Sequence, residues 1–181
     1  MKNFFRFIFF CLAVVTVLSA CNKESVKTIH VATTGSTSAD SMIFMANNTK
    51  ISFNTCLITQ SYVNNVPELL VLGYNVTNSK VSDNNFEVDL YANIDSIKTG
   101  QVFNVSSSFL QPGSMDLFFS PDTISNYSTS TAKPVGTVTI TAITSKQITG
   151  TFSGNLYNQS DFSAESLSYT ISNGTFVAKR D

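Results

Sequence analysis

The chain has 181 residues, a formal net charge of −1, three cysteines, one histidine and no tryptophan. This length suffices for one domain with its own core. The scattered lysines form no basic stripe of the kind that neutralises phosphates, which excludes nucleic acid as a partner.

The first element is a leader. Lys2 and Arg6 precede an apolar run from Phe7 to Leu18, about a dozen residues against the roughly 20 that span a bilayer. The run closes on Val17-Leu18-Ser19-Ala20-Cys21 and gives way to Asn22, Lys23 and Glu24. Residues 1–20 read as a cleaved signal peptide. Its end resembles the lipobox of bacterial lipoproteins, which implies acylation of Cys21 as the mature N-terminus. An ordinary secretory signal with a chance cysteine is the alternative. At about 0.8 kcal/mol per buried methylene, the palmitate-like chains of a lipoprotein hold it stably on a membrane. With Cys11 in the leader and Cys21 acylated, Cys56 has no intrachain partner and no disulfide framework forms. Without Lys2 and Arg6, nine basic residues face twelve acidic ones, a net charge of −3.

Residues 21–40 are polar, and Thr33 to Ser38 have the composition of a flexible linker, so this segment reads as a lipidated tether. Val26, Ile29 and Val31 allow an edge strand instead. His30 lies here, solvated or packed on the domain edge, without the partners that a dyad or metal site requires.

From residue 41 to 181 the pattern has period two. Cys56 falls in the apolar strand ISFNTCLIT as a small buried hydrophobe. ELLVLGYNV, residues 68–76, is apolar on both faces and reads as a central strand covered on both sides. In FEVDLYANID, Phe86, Val88, Leu90, Ala92 and Ile94 point inward while Glu87, Asp89, Tyr91, Asn93 and Asp95 point outward. SMDLFF, KQITGTF and SLSYTI alternate too, and VGTVTITAIT places Val138, Ile140 and Ala142 inward with Thr137, Thr139 and Thr141 outward. Turns fall at Asn47-Asn48, Asn64-Asn65, Asp83-Asn84-Asn85, Gln111-Pro112-Gly113, Pro121-Asp122 and Asn173-Gly174. The last is the strongest hairpin signal, although a bulge in one bent strand reads the same. Some nine to eleven strands and no helical stripe predict an all-β domain, an antiparallel β-sandwich with a partly open barrel as the alternative.

GTVTITAITSKQITGTFSGNLYN followed by SYTISNGTFVAKR resembles the ending of small Bacteroidota outer-membrane lipoproteins of unknown function, and MIFMANNTKISF resembles their first hairpin without its usual glycine. The resemblance implies a β-sandwich-like fold and an outer-membrane location, and supplies no catalytic residues. The Gly-Thr-Phe repeat at 150–152 and 174–176 also has a plain structural account, two related strands each placing a phenylalanine, Phe152 and Phe176, in one core. Asp40-Ser41-Met42, Asp95-Ser96-Ile97 and Asp122-Thr123-Ile124 look like the O-glycosylation site of such organisms, making Ser41, Ser96 and Thr123 candidate sugar carriers. Lys23-Glu24 partly resembles their surface-export signal, which favours the cell surface over the periplasmic face.

Catalytic chemistry is sparse. The only histidine lies on the tether, leaving a nucleophilic serine or cysteine without a base. Paired carboxylates, Glu87 with Asp89 or Asp95 with Asp116, leave a residual carboxylate-based hydrolase. Asp83-Asn84-Asn85 lacks the spacing of a calcium loop and reads as a turn. No cofactor beyond the lipid on Cys21 is implied, and no metal. Outward Glu87, Asp89, Tyr91, Asp116 and Phe118 form a candidate binding face for a glycan or an envelope protein, although Phe118 packs under a loop in the plainer reading. The expectation is a lipid-anchored, non-catalytic binding module. The alternative is an envelope or fimbria-like assembly subunit joined by strand addition.

Overall fold

The computed structural model describes residues 40–160 and 166–180. The leader and the tether with Cys21, Lys23, Glu24 and His30 lie outside the described residues. Eleven strands follow in chain order: β1 (Ser41–Ala46), β2 (Thr49–Phe53), β3 (Thr55–Val63), β4 (Val66–Thr77), β5 (Lys80–Leu90), β6 (Val102–Asn104), β7 (Met115–Ser120), β8 (Tyr127–Ser128), β9 (Gly136–Ile143), β10 (Gln147–Asn158) and β11 (Leu167–Arg180). A single 3-10 turn, Ile94–Ser96, is the only helical piece among the described residues. None of their helices is long and apolar enough to cross a membrane.

Three hairpins close through two-residue turns with both residues left-handed. They are Asn47-Asn48 (φ 47° and 67°), Asn64-Asn65 (49° and 66°) and Asn78-Ser79 (52° and 62°). Turns of this hand match the twist of the flanking strands, and asparagine tolerates the conformation because its short side chain bonds locally. Asn47 also clamps the neighbouring strand β11. Its Nδ2 donates to Ser168 O at 2.8 Å and its Oδ1 accepts from Thr170 N at 2.8 Å. Asp83-Asn84-Asn85, expected as a turn, lies inside β5. Asn78-Ser79 takes the reversal instead, and the ladder continues past a bulge where Ser82 Oγ accepts from Asn75 N at 3.1 Å. On the other edge of β4, Asn54 Oδ1 accepts from Val76 N and Asn75 Oδ1 from Asn54 N, each at 2.9 Å, extending the contact between β4 and β3 past the end of their ladder.

The strands pair in the order β2-β1-β11-β3-β4-β5-β7-β8-β10-β9-β6, with β10 also pairing β11. The pairings therefore form a circuit of seven strands, extended by β1 and β2 on one side and β9 and β6 on the other. All are antiparallel except β11–β3, a two-residue parallel contact, so the sheet is mixed. A cross-strand row leaving β11 at Leu167 passes Tyr157, Ser128, Phe118, Glu87, Leu72 and Leu57 and returns to β11 at Lys179, twelve residues further along. Such a stagger makes the strands tilt steeply around the core.

Two walls, β2-β1-β11-β10-β9-β6 and β3-β4-β5-β7-β8, enclose that core in a sandwich-like arrangement. Phenylalanines from both meet in it. The Phe44 ring centroid lies 4.5 Å from Phe86, 5.7 Å from Phe119 and 5.8 Å from Phe152, and Phe86 stacks on Phe152 at 5.1 Å. Cys56 is fully buried, and burial, with Asp40 adding to it, pushes its thiol far above the ordinary range. Leu69, Leu70, Val71 and Tyr74 are all buried, so β4 is covered on both faces.

The Gly-Thr-Phe repeats prove to be partners. On the β10–β11 ladder Gly150 faces Phe176, Thr151 faces Thr175 and Phe152 faces Gly174. Each ring lies over the opposite glycine. A Cβ on Gly150 would stand 2.5 Å from Phe176, and one on Gly174 the same distance from Phe152. Asn173-Gly174 is therefore not a hairpin. Asn173 (φ 51°) sits at a bulge inside the single strand β11, where the register with β1 slips between Thr175 and Ser172. A second bulge corrects β9. Ile140 faces Gly150 while Ala142 faces Thr149, so Ala142 is exposed and Ile143 packs on the core in its place.

Candidate functional site

The candidate site grows from the alternation of β7. Met115, Leu117 and Phe119 enter the core, which turns Asp116, Phe118 and Ser120 outward. Register with β5 sets Asp116 opposite Asp89 and Phe118 opposite Glu87. Beyond β7, Ser128 and then Tyr157 continue the Phe118 row. Tyr91 reaches this face from the end of β5, its hydroxyl donating to Asp116 Oδ2 at 2.8 Å. The structure thus brings Glu87, Asp89, Tyr91, Asp116 and Phe118 to one side of the wall.

Two of the five are not outward in the sense expected. Asp89 is 5% exposed and Tyr91 3%. Tyr91 has left the ladder of β5: Ala92 N turns back to Leu90 O at 2.8 Å, and the Tyr91 backbone bonds Gly113 and Ser114. Asp95 does not form the expected pair with Asp116. It sits exposed in the 3-10 turn, and the carboxylate whose charge reaches Asp116 is that of Glu68.

Asp116 is fixed by two donors. Tyr91 holds Oδ2, and Thr129 Oγ1 donates to Oδ1 at 2.7 Å while accepting from Leu117 N at 3.2 Å. Burial raises the Asp116 pKa above the ordinary carboxylate range, helped by the Glu68 charge and opposed by the two hydroxyl bonds, which favour the ionised form. The Tyr91 hydroxyl is pushed far up by burial first and then by Asp116. Glu68 itself is 5% exposed and accepts from Ser61 Oγ at 2.6 Å. Among the described residues no three of His, Cys, Asp and Glu converge as a metal-holding group.

Beside this array lies a groove of about 530 Å³, within the roughly 300–1,000 Å³ of small-ligand clefts. Phe109, Phe118 and Tyr157 supply its aromatic surfaces and Asp116 its carboxylate; Ser128 to Thr131, Asn158 and Gln159 supply hydroxyls and amides. Lys133 Nζ stands 5.7 Å from the Tyr157 ring centroid. Phe109 is 71% exposed on the loop between β6 and β7, and the next residue, Leu110, holds φ 54°. A bulky residue in that region is strained, and such strain persists where the surrounding structure enforces it. A smaller depression of about 430 Å³ beside Asn75, Lys80 and Ser82 contains no aromatic side chain, and its Asn75 and Ser82 are engaged in the β4 bulge.

Phe109, Tyr157, Thr129 and Glu68 complete the site and escaped the sequence reading. Glu68 left a signal as the only acidic residue of a strand covered on both faces. Phe109 left a weaker one, an aromatic alone in SSSFLQPG. Tyr157 and Thr129 left none, because only the register of β8 against β7 and β10 brings them to Phe118 and Asp116.

The three glycosylation-like residues, two serines and a threonine, differ in setting. Ser41 is half-buried within β1, paired with Val177. Ser96 is exposed but donates to Asn93 O at 2.7 Å. Thr123 is exposed beside Ile124, which is 85% exposed, in a loop organised by Asp122, whose Oδ1 accepts from Ile124 N at 2.8 Å and Ser125 N at 2.6 Å. Those backbone donors lower the Asp122 pKa. No protein-family model, curated protein or solved structure matches the chain.

Proposed function

We propose that the chain is a cell-envelope lipoprotein, anchored in the outer membrane by acyl chains on Cys21, whose β domain binds a ligand in the Phe118 groove without catalysing a reaction. The observation that carries this reading is the placement of the groove relative to the start of the domain. Ser41, where the described chain begins its first strand, pairs with Val177 near the end of β11, whereas Tyr157 in the groove pairs with Leu167 at its beginning. The two lie ten residues apart on β11, roughly 30 Å of strand. The domain's first strand and the Tyr157 wall of the groove thus meet opposite ends of β11, which supports a groove set apart from the point where the chain enters the domain. The Thr129 hydroxyl is tied on both sides, accepting from Leu117 N and donating to Asp116 Oδ1, which supports a structural part for it in the groove rather than a nucleophilic one.

The assembly alternative needs a long open edge for strand addition. Among the described residues the outermost strands are β2, of five residues, and β6, of three, and Asn75 Nδ2 reaches Ser52 O of β2 at 3.4 Å. Short, partly covered edges favour the binding reading.

Proteinase accessibility on intact cells of the native host tests location, with membrane partitioning of wild type and Cys21→Ser as its control. External cleavage together with loss of membrane association in Cys21→Ser is the expected result. Protection until the outer membrane is breached places the domain on the periplasmic face, and unchanged partitioning of Cys21→Ser refutes the anchor.

A further inference from the structure

We infer that the groove takes a neutral saccharide, an inference that rests on the binding-module reading above and names its ligand class. The ten side chains that line the groove are two phenylalanines, one tyrosine, one aspartate, two serines, two threonines, one asparagine and one glutamine. The set contains no aliphatic side chain, so an acyl chain or other apolar ligand would meet hydroxyls and amides stripped of water without replacement bonds. It contains no basic side chain either; Lys133 stands beside the lining, over the Tyr157 ring, and an anionic ligand that approached it would still face Asp116. A cation would be drawn to Asp116, but Lys133 already brings a positive charge to the Tyr157 ring, and hydroxyl and amide groups present donors that a cation cannot use.

A neutral sugar matches what remains. Its hydroxyls donate and accept, as do those of Ser128, Ser130 and Thr131 and the amides of Asn158 and Gln159. Its flat C–H face suits an aromatic ring, and Phe109 and Phe118 offer two in one groove, Phe109 with most of its surface free. Asp116 is the fixed acceptor among them. Each carboxylate oxygen has about two acceptor positions, and Thr129 and Tyr91 each occupy one on separate oxygens, so Asp116 arrives with its orientation set and acceptor capacity left. A carboxylate held in this way does not lose conformational freedom when a sugar hydroxyl binds to it.

The test is saturation-transfer NMR on the full-length protein with four neutral trisaccharides, laminaritriose, xylotriose, mannotriose and triacetylchitotriose, beside tetralysine and trigalacturonate. Transfer to at least one neutral trisaccharide is expected, weakened about tenfold in Phe109→Ala and in Phe118→Ala. Asp116→Asn should weaken it as well, while Tyr62→Ala, which removes an exposed ring outside the groove, leaves it unchanged. Phe109 is exposed enough that its loss does not threaten folding. If tetralysine or trigalacturonate binds through Phe109 and Phe118 while no neutral sugar does, the saccharide inference fails and the binding groove stands. If no probe responds, or transfer survives both phenylalanine variants, the groove reading fails with it.

Discussion

The β5–β7 ladder presents two faces built from alternate residues of the same strands. Inward go Phe86, Val88, Leu90, Met115, Leu117 and Phe119, each at most 3% exposed; outward go Glu87, Asp89, Asp116 and Phe118. The inner face is held by apolar burial, which is non-directional and tolerates small errors in placement. The outer face is held by directed bonds around Asp116, with Tyr91 and Thr129 aimed at separate oxygens. Directed bonds fix the orientation of a side chain, so the outer face has the rigidity a binding site needs, and the inner face has the stability that supports it.

The largest difference should appear on truncating one ring from each face. Phe86 touches Phe44 and Phe152 in the core, so Phe86→Ala should cost about 3–5 kcal/mol. Phe118, half-buried on the outer face, should cost about 1 kcal/mol as Phe118→Ala. Urea denaturation of both variants checks the contrast; equal losses would mean that the outer face belongs to the core.

This contrast also marks how far the sequence could be read. The inner face was fully legible, since alternation follows from strand geometry and every inward position is apolar. Alternation also placed Asp89 and Tyr91 on the correct side, but it carries no information on whether that side is covered, and both are buried. Bulges were the other limit. The slip near Thr149 exchanges Ala142 for Ile143, and the one at Asn173 turns the strongest hairpin signal into a bend, because the left-handed residue that a tight turn needs is also what a bulge needs. Of the candidate site, the residues on β5 and β7 were within reach, while Thr129 and Tyr157 depend on pairings among strands distant in the chain.

A second, smaller effect tests the paired Gly-Thr-Phe triplets. Gly174→Ala pushes a methyl group into the Phe152 ring and should cost about 1–3 kcal/mol, as should Gly150→Ala against Phe176. Combined with Phe152→Leu, Gly174→Ala should cost less than the sum of the two single changes, because the smaller side chain vacates the space. Additive losses in that double-mutant cycle would show that ring and glycine do not share it.

On the outer face, pH provides the finer probe. The native Asp116 pKa is raised above its unfolded value near 4, so the folded state holds the proton more tightly across the window between the two. The stability contributed by this group is full below about pH 4 and is lost as pH rises through the native pKa. Asp116→Asn should remove that downward slope, leaving a stability curve flatter than wild type over the same range. A wild-type curve that rises there relative to Asp116→Asn would mean that the hydroxyl bonds from Tyr91 and Thr129 outweigh burial.

The smallest predicted change concerns the loop that carries Phe109. Leu110 sits at φ 54°, where a side chain costs roughly 1–2 kcal/mol, and glycine would remove that strain while losing about 0.5–1 kcal/mol to its greater freedom when unfolded. The half-buried leucine side chain also loses about 1 kcal/mol of apolar packing, so Leu110→Gly should leave stability nearly unchanged. The same change frees the loop to take other conformations and so should weaken binding in the groove, with Phe109 still present. Unchanged stability with weakened affinity is the signature of strain retained for a site, and thermal denaturation beside the trisaccharide titration reads both. If Leu110→Gly binds as well as wild type, the strained residue holds the loop's shape for no purpose that the groove uses, and Phe109 contributes through its surface alone.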